Sequence, residues 1–198
     1  MMQADEGEAM SRLARYQTVL DTCLRDFNGR VIKNYGDGSL CLFDSTLDAA
    51  NCAVSIQEAL QLDPKVPLRI GLHLGDVTFR QGDIYGNDIN LASRIESMGV
   101  AGSVLMSAEF WRKIKAKNIY HATSLGSYHF KNVEESIEVF ALSHDSIIVP
   151  TKGDLSGKLA RKRKSYNLTS LIGGIILVGV IAFLLFNLLG RNSRSESE

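Results

Sequence analysis

The sequence predicts an α+β domain over residues 1–145, a basic linker over 146–164, one membrane-spanning helix over 165–190 and a short polar tail over 191–198. Three observations carry this. Helical and strand-like apolar patterns are mixed without the strict alternation of βα units. The 198 residues are 45% hydrophobic, enough for the core of one ordinary domain plus an appendage. Residues 165–190 hold no charged side chain and include LIGGIILVGVIAFLLF, and ~20 mostly apolar residues suffice to cross a bilayer.

The elements follow in order. Apolar residues at helical spacing (Met10, Leu13, Leu20, Leu24) predict a helix over residues 5–27, ended by Asn28-Gly29. In VIKNYGDGSLCLF two apolar runs flank Gly36-Asp37-Gly38, which is what a tight β-hairpin needs. Residues 46–62 (TLDAANCAVSIQEALQL) read as a second amphipathic helix, with Asp63-Pro64 and Pro67 at its exit. LRIGLHLGDVTF is a buried strand, or two joined at Gly75, and Arg80-Gln81-Gly82 is a turn. A helix from about 87 to 98 closes at Gly99. SVLMS is then a short strand, AEFWRKIKA a short helix, and the remainder to Leu142 holds two strands around the turn KNVEES.

Charge narrows the partners. Acidic and basic residues balance at 22 each, but KLARKRK at 158–164 carries five positive charges and the tail RNSRSESE nets to zero, leaving about −5 on residues 1–157. Nucleic acid is therefore not an expected partner of the domain. The basic cluster precedes the apolar segment, so the positive-inside rule predicts a single-pass protein of the cytoplasmic membrane with its globular domain in the cytoplasm. MMQADEGEAM is acidic and lacks an apolar core, so no secretory leader is expected. Cys23, Cys41 and Cys52 lack metal-ligand spacing and fall in apolar patterns, reading as buried thiols of a reducing compartment.

Taken together, IKNYGDG, LRIGLHLGDV and DIYGNDINLASRIE resemble the catalytic domain of the class III adenylate and guanylate cyclases, over about residues 5–142. The closing LGSYHFKNVEESIEVFAL is similar to that family's last hairpin. The resemblance implies a ferredoxin-like core working as a head-to-tail homodimer, or as a heterodimer with another cyclase domain, with active sites between protomers. It also implies two divalent ions, magnesium or manganese, that activate the ribose 3′-hydroxyl and clamp the triphosphate. The implied products are a 3′,5′-cyclic nucleotide and pyrophosphate.

Carried over residue by residue, Asp37 matches the second metal aspartate, and a turn tip can present a carboxylate free of ladder bonds. Read without the resemblance it is a plain turn aspartate. Lys33 and Asp83 match the pair that reads the base, lysine donating to a ring nitrogen and aspartate accepting from the exocyclic amine of adenine. A guanine-reading site would present Glu in place of Lys33, so ATP is the expected substrate. By themselves, Lys33 is a snorkelling strand lysine and Asp83 a strand-start aspartate. Asn90 and Arg94, four apart on one helix face, match the pair that orients the ribose and neutralises charge developing on the phosphate; alternatively Arg94 belongs to a solvated face with Glu96. Lys131 matches a phosphate-contacting lysine. His73 lies in an apolar strand pattern and reads as a satisfied core histidine without a catalytic role, and Trp111 and Tyr85 read as packing residues.

One departure qualifies the resemblance. The family's first strand carries the other metal aspartate in a phrase like Phe-x-Asp-Ile-x-Gly-Phe-Thr, and MMQADEGEAM corresponds to the region just after it. Asp5, in a polar helix start, is no substitute. The expected fold is thus a ferredoxin-like cyclase fold, N-terminally incomplete, followed by one transmembrane helix. Beside the adenylate cyclase reading stands an alternative: a catalytically incomplete cyclase-like partner or nucleotide-binding regulator.

Overall fold

The long N-terminal helix α1 (Met2–Asp26) ends where the sequence places its terminator. Asn28 takes a left-handed φ of 55°, and the Gly29 N–H donates to the Leu24 carbonyl at 2.8 Å, the six-to-one bond of a Schellman cap. The structure is a computed structural model that describes residues 2–155 other than 81, 82, 132 and 152, with side chains from 7 to 78 and from 86 onward. The expected membrane-spanning helix at 165–190 and the tail fall outside the described residues. Among the described residues, no helix is long and apolar enough to cross a membrane.

After α1 comes the hairpin of β1 (Arg30–Tyr35) and β2 (Gly38–Leu42), joined by a two-residue turn. Gly36 has φ of 63° and Asp37 does not share that sign, the pattern of turns with glycine in the first central position. Gly38 does no comparable work, since a Cβ there meets nothing nearer than the Tyr35 carbonyl at 3.8 Å. The ladder slips between Val31 and Lys33, so Ile32 is an extra residue without an opposite number. Helix α2 (Thr46–Gln61) follows, its Ser45 cap accepting from the Asp48 N–H at 3.2 Å.

The stretch read as one buried strand, or two joined at Gly75, is two short strands in different sheets, β3 (Ile70–Leu72) and β4 (Thr78–Arg80). β4 pairs with β5 (Asp83–Tyr85), which leads into α3 (Asn87–Met98). β6 (Val104–Ser107), α4 (Ala108–Lys115), β7 (His121–Tyr128) and β8 (Ile137–Ser143) complete the order.

The principal sheet runs β3-β6-β8-β7, with β3 parallel to β6 and the other pairs antiparallel. Side chains alternate across it. Val104, Met106 and Leu142 face α2 and α4 with Ala50, Phe110 and Ile114, whereas Leu105, Val139 and Ala141 face Leu91, Ile95 and Met98 of α3. A third cluster joins Tyr16, Leu20 and Leu24 of α1 to Cys52, Ile56 and Leu60 of α2, with Cys41 and Phe43 partly buried against it. The α+β class holds. Among the described residues, the β1–β2 hairpin is a separate ladder and β3 pairs on one side only. That explains why β3, expected to be buried, is half-buried throughout. Cys23 and Cys52 are buried as expected, Cys41 only partly, and all three are free thiols.

Two glycines of the IGLHLG run set how closely α3 lies on β3. A Cβ on Gly71 would come within 2.6 Å of the Ala92 carbonyl and the Glu96 N–H, and one on Gly75 within 2.3 Å of the Asp88 side chain. Only glycine lets the helix approach this far.

Candidate active site

The residues expected to carry chemistry fall into two groups. Lys33 and Asp37 ride on the β1–β2 hairpin, and both are exposed. Lys33 sets its Nζ 5.7 Å from the ring centroid of Tyr35, two residues along the same strand. Asp37 forms the tip, and Tyr16 of α1 reaches the hairpin at Ser39. Burial pushes the Tyr16 phenol upward, and the Asp37 charge adds to that push against a neighbouring Ser39.

The second group lies on α3 and the β7–β8 turn. Asn90 is exposed on α3 and Arg94 half-buried one turn later. The Arg94 Nη1 donates to the main-chain carbonyl of Lys131, which brings the helix and the turn together. A guanidinium has five N–H donors in a planar fork, so this bond leaves four for an incoming oxyanion. Lys131 itself is exposed. Asp83 opens β5 opposite Arg80 in the ladder, three residues ahead of the α3 N-cap at Gly86.

Hard divalent cations take several oxygen ligands. Among the described residues, no group of three or more His, Cys, Asp or Glu side chains is placed to hold a metal ion. Asp37 alone, at an exposed tip, does not make a two-ion site, so the described residues do not by themselves fit the expected pair of metals.

The reading of His73 as a satisfied core residue is borne out, and its partners are residues the sequence did not single out. The His73 side chain is 6% exposed. Its Nδ1 lies 2.8 Å from the Ser107 hydroxyl and its Nε2 3.4 Å from Asp88 Oδ1, while Asp88 Oδ2 accepts from the Asp76 N–H at 2.9 Å. Ser107 also caps α4, accepting from the Phe110 N–H at 3.3 Å. The signal in the sequence was present but faint: α3 begins at a glycine that supplies no side-chain cap, with an acidic residue in its first turn. Trp111 packs as expected, 6.1 Å from Phe140 between ring centroids. A cavity of about 660 Å³ opens beside it, lined by His73, Ser107, Arg112 and Glu138 among others and by none of the expected site residues.

A mixed α+β layer with a glycine-turned hairpin on one side and a polar helix face meeting a hairpin turn on the other is the frame of a nucleotide cyclase. Residues 2–144 match the adenylate and guanylate cyclase catalytic domain, and the chain belongs to that family. It is 30% identical over 151 residues to a protein of Rhizobium meliloti (strain 1021) provisionally named adenylate cyclase 3, an alignment covering 72% of this chain and 26% of that one. It is 33% identical over 107 residues to an adenylate cyclase of Streptomyces coelicolor, covering 54% of this chain and 28% of that one. The chain thus spans about a quarter of the length of these curated relatives. Among solved structures, an adenylate/guanylate cyclase/hydrolase from Silicibacter pomeroyi superposes with a TM-score of 0.66 at 28% identity, covering 72% of this chain and 89% of that one.

Proposed function

We propose that the domain converts ATP to 3′,5′-cyclic AMP and pyrophosphate at the interface of a dimer, in a signalling role. The observation that carries this is the pairing of Arg94 with the Lys131 turn, which sets a guanidinium with spare donors beside an exposed lysine and one helical turn from Asn90. That is a polar surface suited to a triphosphate. Asn90 would orient the ribose, Arg94 would neutralise charge developing on the phosphate, and Lys131 would hold the phosphate chain. Preorganised donors aimed at developing charge act strongly because they need no reorganisation as the reaction proceeds. Lys33 and Asp83 would read adenine, the ammonium donating to a ring nitrogen and the carboxylate accepting from the exocyclic amine. In a head-to-tail pair, Lys33, Asp83, Asn90 and Arg94 of one protomer would serve the site whose metal carboxylates stand on the partner, while Asp37 would serve the other site. The apolar segment at 165–190 would tether the domain to the cytoplasmic membrane, with its basic flank on the cytoplasmic side.

The test is an assay of the purified chain with ATP and Mn²⁺, alone and mixed with a complete cyclase domain. Cyclic AMP from the chain alone, or an output of the mixture above that of the complete domain by itself, supports the reading, and the absence of both sinks it. A second reading rests on Asp37 standing without carboxylate companions among the described residues. In that reading the chain is the non-metal half of a mixed dimer. Activity would then appear only with the partner, would be abolished by Arg94→Ala in this chain, and would tolerate Asp37→Ala.

A further inference from the structure

We propose that His73 is a positioning residue: by bonding Asp88 and Ser107 it fixes where α3 stands against the sheet, and with it Asn90 and Arg94. The inference deepens the cyclase reading and rests on it for the roles of those two residues.

Helix α3 starts without a cap of its own. Gly86 offers no side chain to the first-turn N–H groups, so whatever holds the start of the helix must come from elsewhere. Asp88 supplies the link. One carboxylate oxygen takes the Asp76 N–H from the loop after β3, and the other meets His73. An acidic side chain in the first turn also sits favourably at the positive end of the helix.

With the His73 ring neutral, one proton arrangement serves both contacts. A carboxylate only accepts, so the His73 Nε2 facing Asp88 carries the hydrogen. The neutral ring then has Nδ1 as its acceptor, which takes the Ser107 hydroxyl hydrogen, and the Ser107 oxygen accepts from Phe110. Every member is satisfied in one direction, from the α4 cap through the ring to α3. Polar networks complete in this way favour a single arrangement. The close approaches at Gly71 and Gly75 bring helix and strand together, but contact alone does not fix rotation about the helix axis. The bonds to Asp88 do. Asn90 lies about 3 Å and Arg94 about 9 Å further along that axis, and a misplacement of ~1 Å in a catalytic group can lower turnover ~100-fold.

The test compares His73→Ala, His73→Gln and free imidazole added to His73→Ala. Glutamine can return an N–H donor to Asp88, and imidazole can enter because His73 lines the 660 Å³ cavity. The expected result for His73→Ala is a kcat reduced ~10-fold to ~100-fold with KM within about 2-fold, together with faster hydrogen exchange at the Asp76 amide. Glutamine and imidazole should each recover a large part of both. A kcat within 2-fold of wild type, or unchanged exchange at Asp76, overturns the proposal. If His73→Ala does not fold, Asp88→Ala carries the same expectation, because that side chain is 38% exposed and its loss leaves no large void. Exchange is read on the protein whether or not it turns over ATP. A wild type inactive both alone and with a complete cyclase domain therefore defeats the cyclase reading alone, while unchanged exchange defeats the positioning role alone.

Discussion

The β1–β2 hairpin and the α3 region carry the expected chemistry in opposite styles. On the hairpin, Lys33 and Asp37 stand exposed on a two-stranded ladder outside the principal sheet among the described residues. On α3, Asn90 and Arg94 belong to a helix set against glycines, tied by Asp88 to the segment that follows β3 and by Arg94 to the next hairpin. Under the proposed roles, groups that meet charge as it develops must already be in place, and Asn90 and Arg94 lie on the helix that these contacts hold.

The strongest way to break that contrast is Arg94→Ala. In whichever assay gives cyclic AMP, kcat should fall ~10²-fold to 10³-fold, and a smaller loss than from a hairpin mutation would invert the comparison. Next comes Lys33→Glu, which reverses the polarity presented to the base. It should lower kcat/KM for ATP by ~10-fold or more relative to GTP, since an unpaired polar group facing the wrong edge discriminates strongly. A third test uses stability. Gly71→Ala drives a methyl group into the α3 backbone and should cost ~1–3 kcal/mol, whereas Gly38→Ala on the hairpin should stay within about 0.5 kcal/mol; urea midpoints decide.

The smallest effect concerns two thiols, Cys41 of the hairpin and Cys52 of α2. Burial pushes Cys52 up to about 12, helped by the neighbouring Cys23 and Cys41, and Cys41 up to about 11. Both lie above the ordinary value of 9.0, so the native state holds these protons longer than the unfolded chain does. Their contribution is fully present below pH 9 and is lost as pH rises toward 11 and 12. Unfolding midpoints at pH 8 and pH 10 should differ by roughly 1 kcal/mol per thiol, and Cys52→Ala should flatten the dependence.

Much of this was legible because local chemistry decided it. Asn28-Gly29 and Gly36-Asp37 act through their own neighbours, so that cap and that turn are written where they occur. The spacing of Asn90 and Arg94 needed only the helical period. What escaped depends on residues far apart in the chain. Ile70 to Leu72 read as buried because their composition is apolar, but a strand that pairs on one side among the described residues stays half-exposed. His73 was rightly read as satisfied, yet its partners come from 15 and 34 residues away, and no periodicity encodes that. The pairing of Arg94 with position 131 was likewise invisible.

That last contact has a consequence for how relatives can be compared. Arg94 reaches a main-chain oxygen rather than a side chain. Arg15 and Gln57 do the same, to Ala59 and Leu62 and to Leu68 and Ser103 respectively. Every amino acid supplies a carbonyl, so the tie itself places no demand on the side chain at position 131. Covariation among homologous sequences would follow the arginine while its partner left no trace, and this part of the architecture is inherited through the course of the backbone alone.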